Sequence, residues 1–254
     1  MEYKYKRILW DIEKFLNENI DFKKKKKLVN FEKITRNVFI EKENRGNNSF
    51  QYYPDKKIHI ARIVQGNKDD IKKGNKITFI ETIDNKLKKE IGIKDFVCGY
   101  TNKSNTPIFI CDNHNHVLEA WNLFSDENLK LIHIDQHKDN KRFIGNTNNW
   151  RKESKICDYI DCAIKKNWIK KDYYSFINNS DLKHLDAIKK IPNNILNIDL
   201  DFFSQEATHI SLENKLKLIL FFLSKAQIIT LATSPLFIDQ DFAIEIGKLF
   251  WEYL

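Results

Sequence analysis

Four short apolar runs punctuate the second half of the chain, and each is followed by a longer segment of helical periodicity. Pro107 to Cys111, Leu129 to Ile134, Ile195 to Ile198 and Gln227 to Ala232 are almost continuously apolar, as strands buried on both faces are. Val117 to Phe124, Ile156 to Trp168, Leu212 to Ser224 and Asp239 to Tyr253 read as helices. In the last of these, Phe242, Ile246, Leu249, Phe250 and Tyr253 form one apolar stripe. This alternation predicts an α/β fold: a three-layer α/β/α arrangement with a mostly parallel sheet covered on both faces. In such sheets ligands sit outside the carboxyl ends of the strands, so the polar residues just after each strand are the ones that matter.

The first hundred residues are less regular. Ile8, Ile12, Phe15 and Leu16 share one face of an opening helix near Arg7 to Asn17. Lys23 to Lys27 is a run of lysines that reads as a solvated loop or helix end. Glu43 to Asp55 reads as a polar loop, Lys57 to Val64 as a strand, and Thr82 to Ile91 as a helical patch. With no internal repeat and no obvious linker, residues 1–254 are expected to form one domain. The part spanning 1–100 is without other assignment, which makes it the place to look for substrate recognition.

Composition narrows the classes. The chain has 254 residues, 42% of them hydrophobic, with 18 Phe, 9 Tyr and 5 Trp, enough to bury a core and exclude intrinsic disorder. The net charge of +8 comes from 43 Lys and Arg against 35 Asp and Glu, but only six of the cations are Arg. Arg is the residue that reads phosphates and bases in a bidentate fashion, so the composition argues against a nucleic-acid partner. The charged start, and the lack of any apolar run near the roughly 20 residues needed to span a bilayer, argue against membrane insertion. Cys98, Cys111, Cys157 and Cys162 form no CxxC pair, which fits reduced thiols and a cytoplasmic setting.

The strand ends carry the chemistry. Pro107 to Cys111 runs into Asp112-Asn-His114-Asn-His116, Leu129 to Ile134 into Asp135-Gln-His137-Lys-Asp139, and Ile195 to Ile198 into Asp199-Leu-Asp201. Residues two apart on an extended chain project the same way, so these carboxylates and imidazoles converge on one rim. Carboxylates bridge two cations and histidines complete separate shells, so this is the composition of a two-metal site. Capping and turn formation account for Asp112 or Asn115, but not for acidic residues beside apolar strands, where unpaired charge is costly.

Asp135-x-His137-x-Asp139, followed by Asp199-x-Asp201 and preceded by a strand-end His, resembles the ureohydrolase superfamily, of which arginase is a member. The fuller set is more similar to the peptide arginases: Asp112-Asn-His114-Asn-His116-Val-Leu, His133-Ile-Asp-Gln-His137 and Asn197-Ile-Asp-Leu-Asp-Phe-Phe203. The resemblance covers about Pro107 to Pro235 and implies an arginase-like fold. It also implies a cytoplasmic enzyme of ribosomal-peptide modification that converts arginine in a precursor peptide to ornithine, releasing urea. By the same resemblance, Asp135 and Asp199 would bridge two Mn²⁺ ions, other divalent metals being an alternative. His137 and Asp201 would sit on one ion, Asp139 and the upstream His on the other. Counting from the strand favours His114 as that ligand, and counting from the following helix favours His116. The sequence departs from arginases after Asp201, where Phe-Phe-Ser-Gln replaces a further Asp and Pro. The loop with Asn140, Asn146 and Asn148 also lacks the His of an arginase proton shuttle, which favours a peptide over free arginine.

Catalytic candidates are Asp139, together with His209 as a general acid. A carboxylate facing the guanidinium could come from Glu119, Asp239, Asp241 or Glu245, and Asn140, Thr233 and Ser234 are candidate substrate contacts. His133, inside an apolar strand, reads as a hydrogen-bonded residue behind the metal ligands. The competing readings are a dinuclear hydrolase of other specificity (free arginine or another amidine, deacetylase-like, phosphoester) and a binding protein that uses Lys23 to Lys27.

Overall fold

A computed structural model describes residues 3–20, 27–35, 59–139, 141–176, 194–207 and 209–254. Its centre is a seven-stranded sheet in the order β1-β4-β5-β9-β8-β6-β7. These strands are β1 (Ile63–Gln65), β4 (Phe96–Tyr100), β5 (Pro107–Cys111), β6 (Lys130–Ile134), β7 (Tyr174–Phe176), β8 (Asn194–Asp199) and β9 (Ala226–Ala232). From β5 to β7 every pairing is parallel, β1 is parallel to β4, and the single antiparallel junction joins β4 to β5.

The strands are apolar throughout because both faces are covered, and alternate residues feed two cores. Ile108, Ile110, Ile132, Ile134, Leu196, Ile198, Ile229 and Leu231 pack on one side. There they meet helices α1 (Tyr3–Asn19), α6 (Leu212–Leu223) and α7 (Gln240–Tyr253). Phe109, Cys111, Leu131, Ile195 and Ile228 pack on the other side. They meet α3 (Leu118–Leu123) and α5 (Tyr159–Lys165); two further one-turn helices are α2 (Glu32–Thr35) and α4 (Trp150–Glu153). The expected three-layer arrangement is therefore present. Helix α1 belongs to it: Ile12 and Leu16 are fully buried, and Tyr5 stacks on Phe242 with ring centroids 4.4 Å apart.

The expected helical patch at Thr82 to Ile91 is instead a hairpin, β2 (Lys73–Ile83) paired antiparallel with β3 (Lys86–Ile93). Asp84 and Asn85, with φ of 51° and 60°, make the two-residue turn, a conformation these side chains tolerate and one that matches strand twist. Of the expected strand at 57–64, only Ile63 and Val64 enter β1, and residues 57 and 58 lie outside the described residues. So do the polar loop at 43–55 and positions 23–26 of the lysine run. The remaining member, Lys27, is held 2.5 Å from Glu127 and lies over the Phe124 ring. Among the described residues, no helix is long and apolar enough to cross a membrane.

The antiparallel junction is packed against the C-terminal helix at Gly99. A Cβ there would stand 2.7 Å from the Gly66 carbonyl oxygen and 2.7 and 2.9 Å from two ring carbons of the buried Trp251. Gly99→Ala is expected to lower stability in urea denaturation by about 1–3 kcal/mol, the usual cost of overpacking. Wild-type stability would show that β4 and α7 slide apart freely.

Candidate metal centre

Register aligns the strand ends. Ile134 pairs with Ile198, Asp199 with Ala232, and Cys111 with Ala232, so β5, β9, β8 and β6 finish at one level. The successive strands β5 and β6 lie on either side of the β9-β8 pair, opening the crevice where such sheets bind ligands.

Asp135 and Asp199 occupy equivalent positions at two of these ends and are locally built alike. Asp135 Oδ1 accepts the backbone N–H of His137 at 2.5 Å, and Asp199 Oδ1 that of Asp201 at 3.1 Å. Each Asx turn fixes one oxygen and leaves the other free to face inward. Asp135, His137, Asp199 and Asp201 thus offer four ligand atoms within 4.8 Å of one another, as do His114, Asp135 and Asp139 for three. His137 Nδ1 lies 3.0 Å from Asp201 Oδ2, and His114 Nδ1 lies 2.5 Å from Asp139 Oδ2 and 3.4 Å from Asp135 Oδ2. His114 Nε2 approaches Asp199 Oδ2 and Ser234 Oγ, the latter at 2.7 Å.

The electrostatics favour a cation. Asp135, Asp199 and Asp201 are at most 1% exposed, and the Oδ2 atom of each has no hydrogen-bond partner. Burial, then repulsion from Asp199 and Asp135, pushes the Asp201 carboxyl well above the usual carboxylate range. Burial acts the same way on Asp135, but His114, His133 and His137 outweigh it and hold that carboxyl below its usual range. Hydrogen bonding to Asp135 and Asp201 raises the His137 imidazole to about 10. For His114, burial opposes and Asp199, Asp139 and Asp135 overcome it, lifting the imidazole well above its ordinary value. Without metal, the acidic oxygens recruit protons onto their neighbours. A pair of divalent ions would replace those protons with better-placed charge, and the all-O/N donor set suits Mn²⁺ or a similar ion.

Asp139 and Ser234 both adopt left-handed backbone, φ 41° and 43°, on opposite sides of His114. Strain of this kind collects where side chains must be aimed. Both residues line a cavity of about 310 Å³ that opens over the cluster, with Phe79, Asn113, His137, Lys138, Lys141, Ile156, Cys157 and Phe237 among its walls. Asp139 is the one carboxylate in that lining.

The other sequence candidates fall elsewhere. His116 is turned to Asp112, with Nδ1 3.1 Å from Oδ1, so of the two upstream histidines the structure places His114 in the cluster. Glu119 is fully buried and held by both oxygens on Arg151, at 2.8 and 2.9 Å, away from the cavity. Asp239 caps α7 through the Phe242 N–H, Asp241 pairs with Lys73 at 2.9 Å, and Glu245 pairs with Lys248 at 2.7 Å. His209 is exposed and is not among the residues that line the cavity. Thr233 is fully buried and is not among the residues that line the cavity, and Asn140 lies outside the described residues. Phe79 went unrecognised because most of β2, which carries it, lies before the Thr82 to Ile91 patch in a stretch with no expected element. Lys141 and Cys157 meet through a loop contact, Lys141 N–H to Cys157 O at 2.9 Å, that no local pattern announces.

No protein-family model matches the chain, and no curated protein does either. Among solved structures, the chain is similar to proclavaminate amidino hydrolase from Streptomyces clavuligerus at 13% identity, with a TM-score of 0.43. The match covers 59% of this chain and spans 65% of that one.

Behind the cluster, Lys215 donates to the carbonyls of Phe202 and Ala207 at 2.5 and 2.6 Å, clamping the turn that carries Asp201. Burial lowers its amine to about 8, against 10.5 ordinarily. Between these values the unfolded chain binds the proton and the native state does not, so Lys215 adds stability as pH rises from about 8 to about 10.5. The stability difference between wild type and Lys215→Met, followed by denaturation across that range, should shift in favour of wild type. A constant difference would mean that Lys215 is charged throughout.

Proposed function

We propose that the chain is a two-metal hydrolase that cleaves the guanidinium of an arginine residue within a peptide, yielding ornithine and urea. The observation that carries this is the strand-end cluster: the buried carboxylates Asp135, Asp199 and Asp201 lie against His114 and His137, which with Asp139 line an open cavity. The resemblance of the His133-to-His137 and Asn197-to-Phe203 segments to peptide arginases supports the same reading.

In this reading Asp135, His137, Asp199 and Asp201, together with His114 and Asp139, would hold two Mn²⁺ ions. The chemistry such a pair supplies when bound is activation of water as a nucleophile near neutral pH, which a resonance-stabilised guanidinium requires. The remaining work falls to side chains around the cavity. Phe79, Phe237 and Ile156 give apolar walls for the methylene stem, and the Phe237 ring lies 5.0 Å from that of His137. Asp139 and Ser234, which both line the cavity beside His114, would orient the guanidinium nitrogens, a charge-assisted contact in the case of Asp139. The cavity opens to solvent, so the target residue can be presented from a longer chain.

Lys138 and Lys141 favour one alternative. Both line the cavity and are exposed, which suits an anionic substrate such as a phosphoester on the same dinuclear platform.

The test is mass spectrometry of an arginine-containing peptide incubated with Mn²⁺-loaded protein, beside free arginine, a phosphomonoester and the Asp135→Ala/Asp199→Ala variant. The expected result is a loss of about 42 Da per arginine with urea released, abolished in the variant. Phosphate release without any mass loss from the peptide would transfer the site to the alternative.

A further inference from the structure

One row below the carboxylates, the three central strands carry polar residues in register. His133 pairs with Asn197 and Asn197 with Thr230. All three are at most 2% exposed, and by strand alternation they share a face with Asp135 and Asp199. Five buried side chains are joined there. Trp121 Nε1 lies 3.4 Å from Thr230 Oγ1, and Thr230 Oγ1 lies 2.7 Å from Asn197 Oδ1. Asn197 Nδ2 lies 3.0 Å from His133 Nδ1 and 3.1 Å from the Tyr159 hydroxyl.

The chemistry of these groups sets the direction. An indole N–H only donates, so Thr230 Oγ1 accepts it and passes its own hydrogen to Asn197 Oδ1. The amide is thereby oriented with Nδ2 toward His133. An amide N–H also only donates, so His133 Nδ1 carries a lone pair and the single ring hydrogen is on Nε2. That atom stands 3.3 Å from Asp135 Oδ2, which His114 Nδ1 also approaches to 3.4 Å, and neither Nε2 nor Oδ2 has a hydrogen-bond partner of ideal geometry. Reversing the amide would put the hydrogen on Nδ1 and leave the Nε2 lone pair facing a buried carboxylate, a repulsive arrangement that burial makes costly.

We propose that this chain fixes His133 as the Nε2–H tautomer and makes it a positioning residue for Asp135. Resting on the reading of Asp135 as a metal ligand, the imidazole occupies one lone pair of Oδ2 and leaves the other for an ion, while the His137 N–H holds Oδ1. A neutral donor orients the carboxylate without adding charge that would compete with the metals.

The test combines long-range ¹H–¹⁵N spectra of ¹⁵N-histidine-labelled protein with calorimetric titration of Mn²⁺. Wild type should show His133 Nδ1 unprotonated and Nε2 protonated, in metal-free protein that needs no turnover. Asn197→Asp places an acceptor against Nδ1 and should move the hydrogen there, weakening Mn²⁺ binding by about tenfold to a hundredfold. His133→Leu should weaken it similarly. His133→Gln, whose amide nitrogen can still donate to Asp135, should restore most of the affinity, a rescue that packing alone would not produce. Thr230→Val, near-isosteric and apolar, frees the amide to turn and serves the same purpose if Asn197→Asp does not fold. A wild-type spectrum with hydrogen on Nδ1, or unchanged Mn²⁺ affinity in these variants, would overturn the proposal. Failure of wild type itself to bind Mn²⁺ would overturn the ligand reading beneath it, a separate and recognisable result.

Discussion

Four carboxylates crowd together, three of them buried, and the rest of the centre answers to that fact. Asp135, Asp199 and Asp201 are essentially inaccessible, and Asp139 is nearly so. Charges so placed cost several kcal/mol each unless compensated. His114 and His137 supply part of the compensation, Asx turns anchor one oxygen each of Asp135 and Asp199, and Lys215 pins the turn beneath Asp201. The Oδ2 atoms of Asp135, Asp199 and Asp201 are met by imidazole nitrogens alone, so the negative charge of the cluster outweighs the cations the protein brings to it.

The sheet turns this liability into a platform. Parallel pairing brings β5, β9, β8 and β6 to the same level, and their following turns bring side chains from segments as far apart as His114 and Asp199 into contact. The same register stacks the row of His133, Asn197 and Thr230 directly below. One hydrogen-bonded ladder therefore sets both the separation of the carboxylates and the orientation of the imidazole beside them. The rigid half ends there. The upper wall of the cavity comes from the β2-β3 hairpin through Phe79 and from the turn after β9 through Phe237, so the shape of the mouth depends on parts outside the main sheet.

Much of this could be read from the chain. The apolar runs at 107–111, 129–134, 195–198 and 227–232 located four central strands, because residues buried on both faces leave continuous apolar stretches. The ligand candidates followed from what stood at their ends. Short elements are harder to read: β4 and β7 have five and three residues, too few for a periodicity, and the hairpin differs from the expected helix because Ile83, Leu87 and Ile91 also suit a helical spacing. The carboxylates considered for the guanidinium stand outside the cavity lining. Glu119 pairs with Arg151 and Asp241 with Lys73 across elements, contacts that leave no trace in local sequence, while Glu245 pairs with Lys248 one turn along the same helix.

By itself, the sequence determined the three-layer class, the strands that matter and the set of acidic and imidazole residues at their ends. These follow from periodicity and from the cost of burying charge, both properties of short segments. Only the tertiary structure decided between His114 and His116, removed Glu119 and His209 from the cavity, and gave His133 a direction. Each of those outcomes depends on which atom of a side chain faces which neighbour, and that is set by strand register and by contacts between segments far apart along the chain.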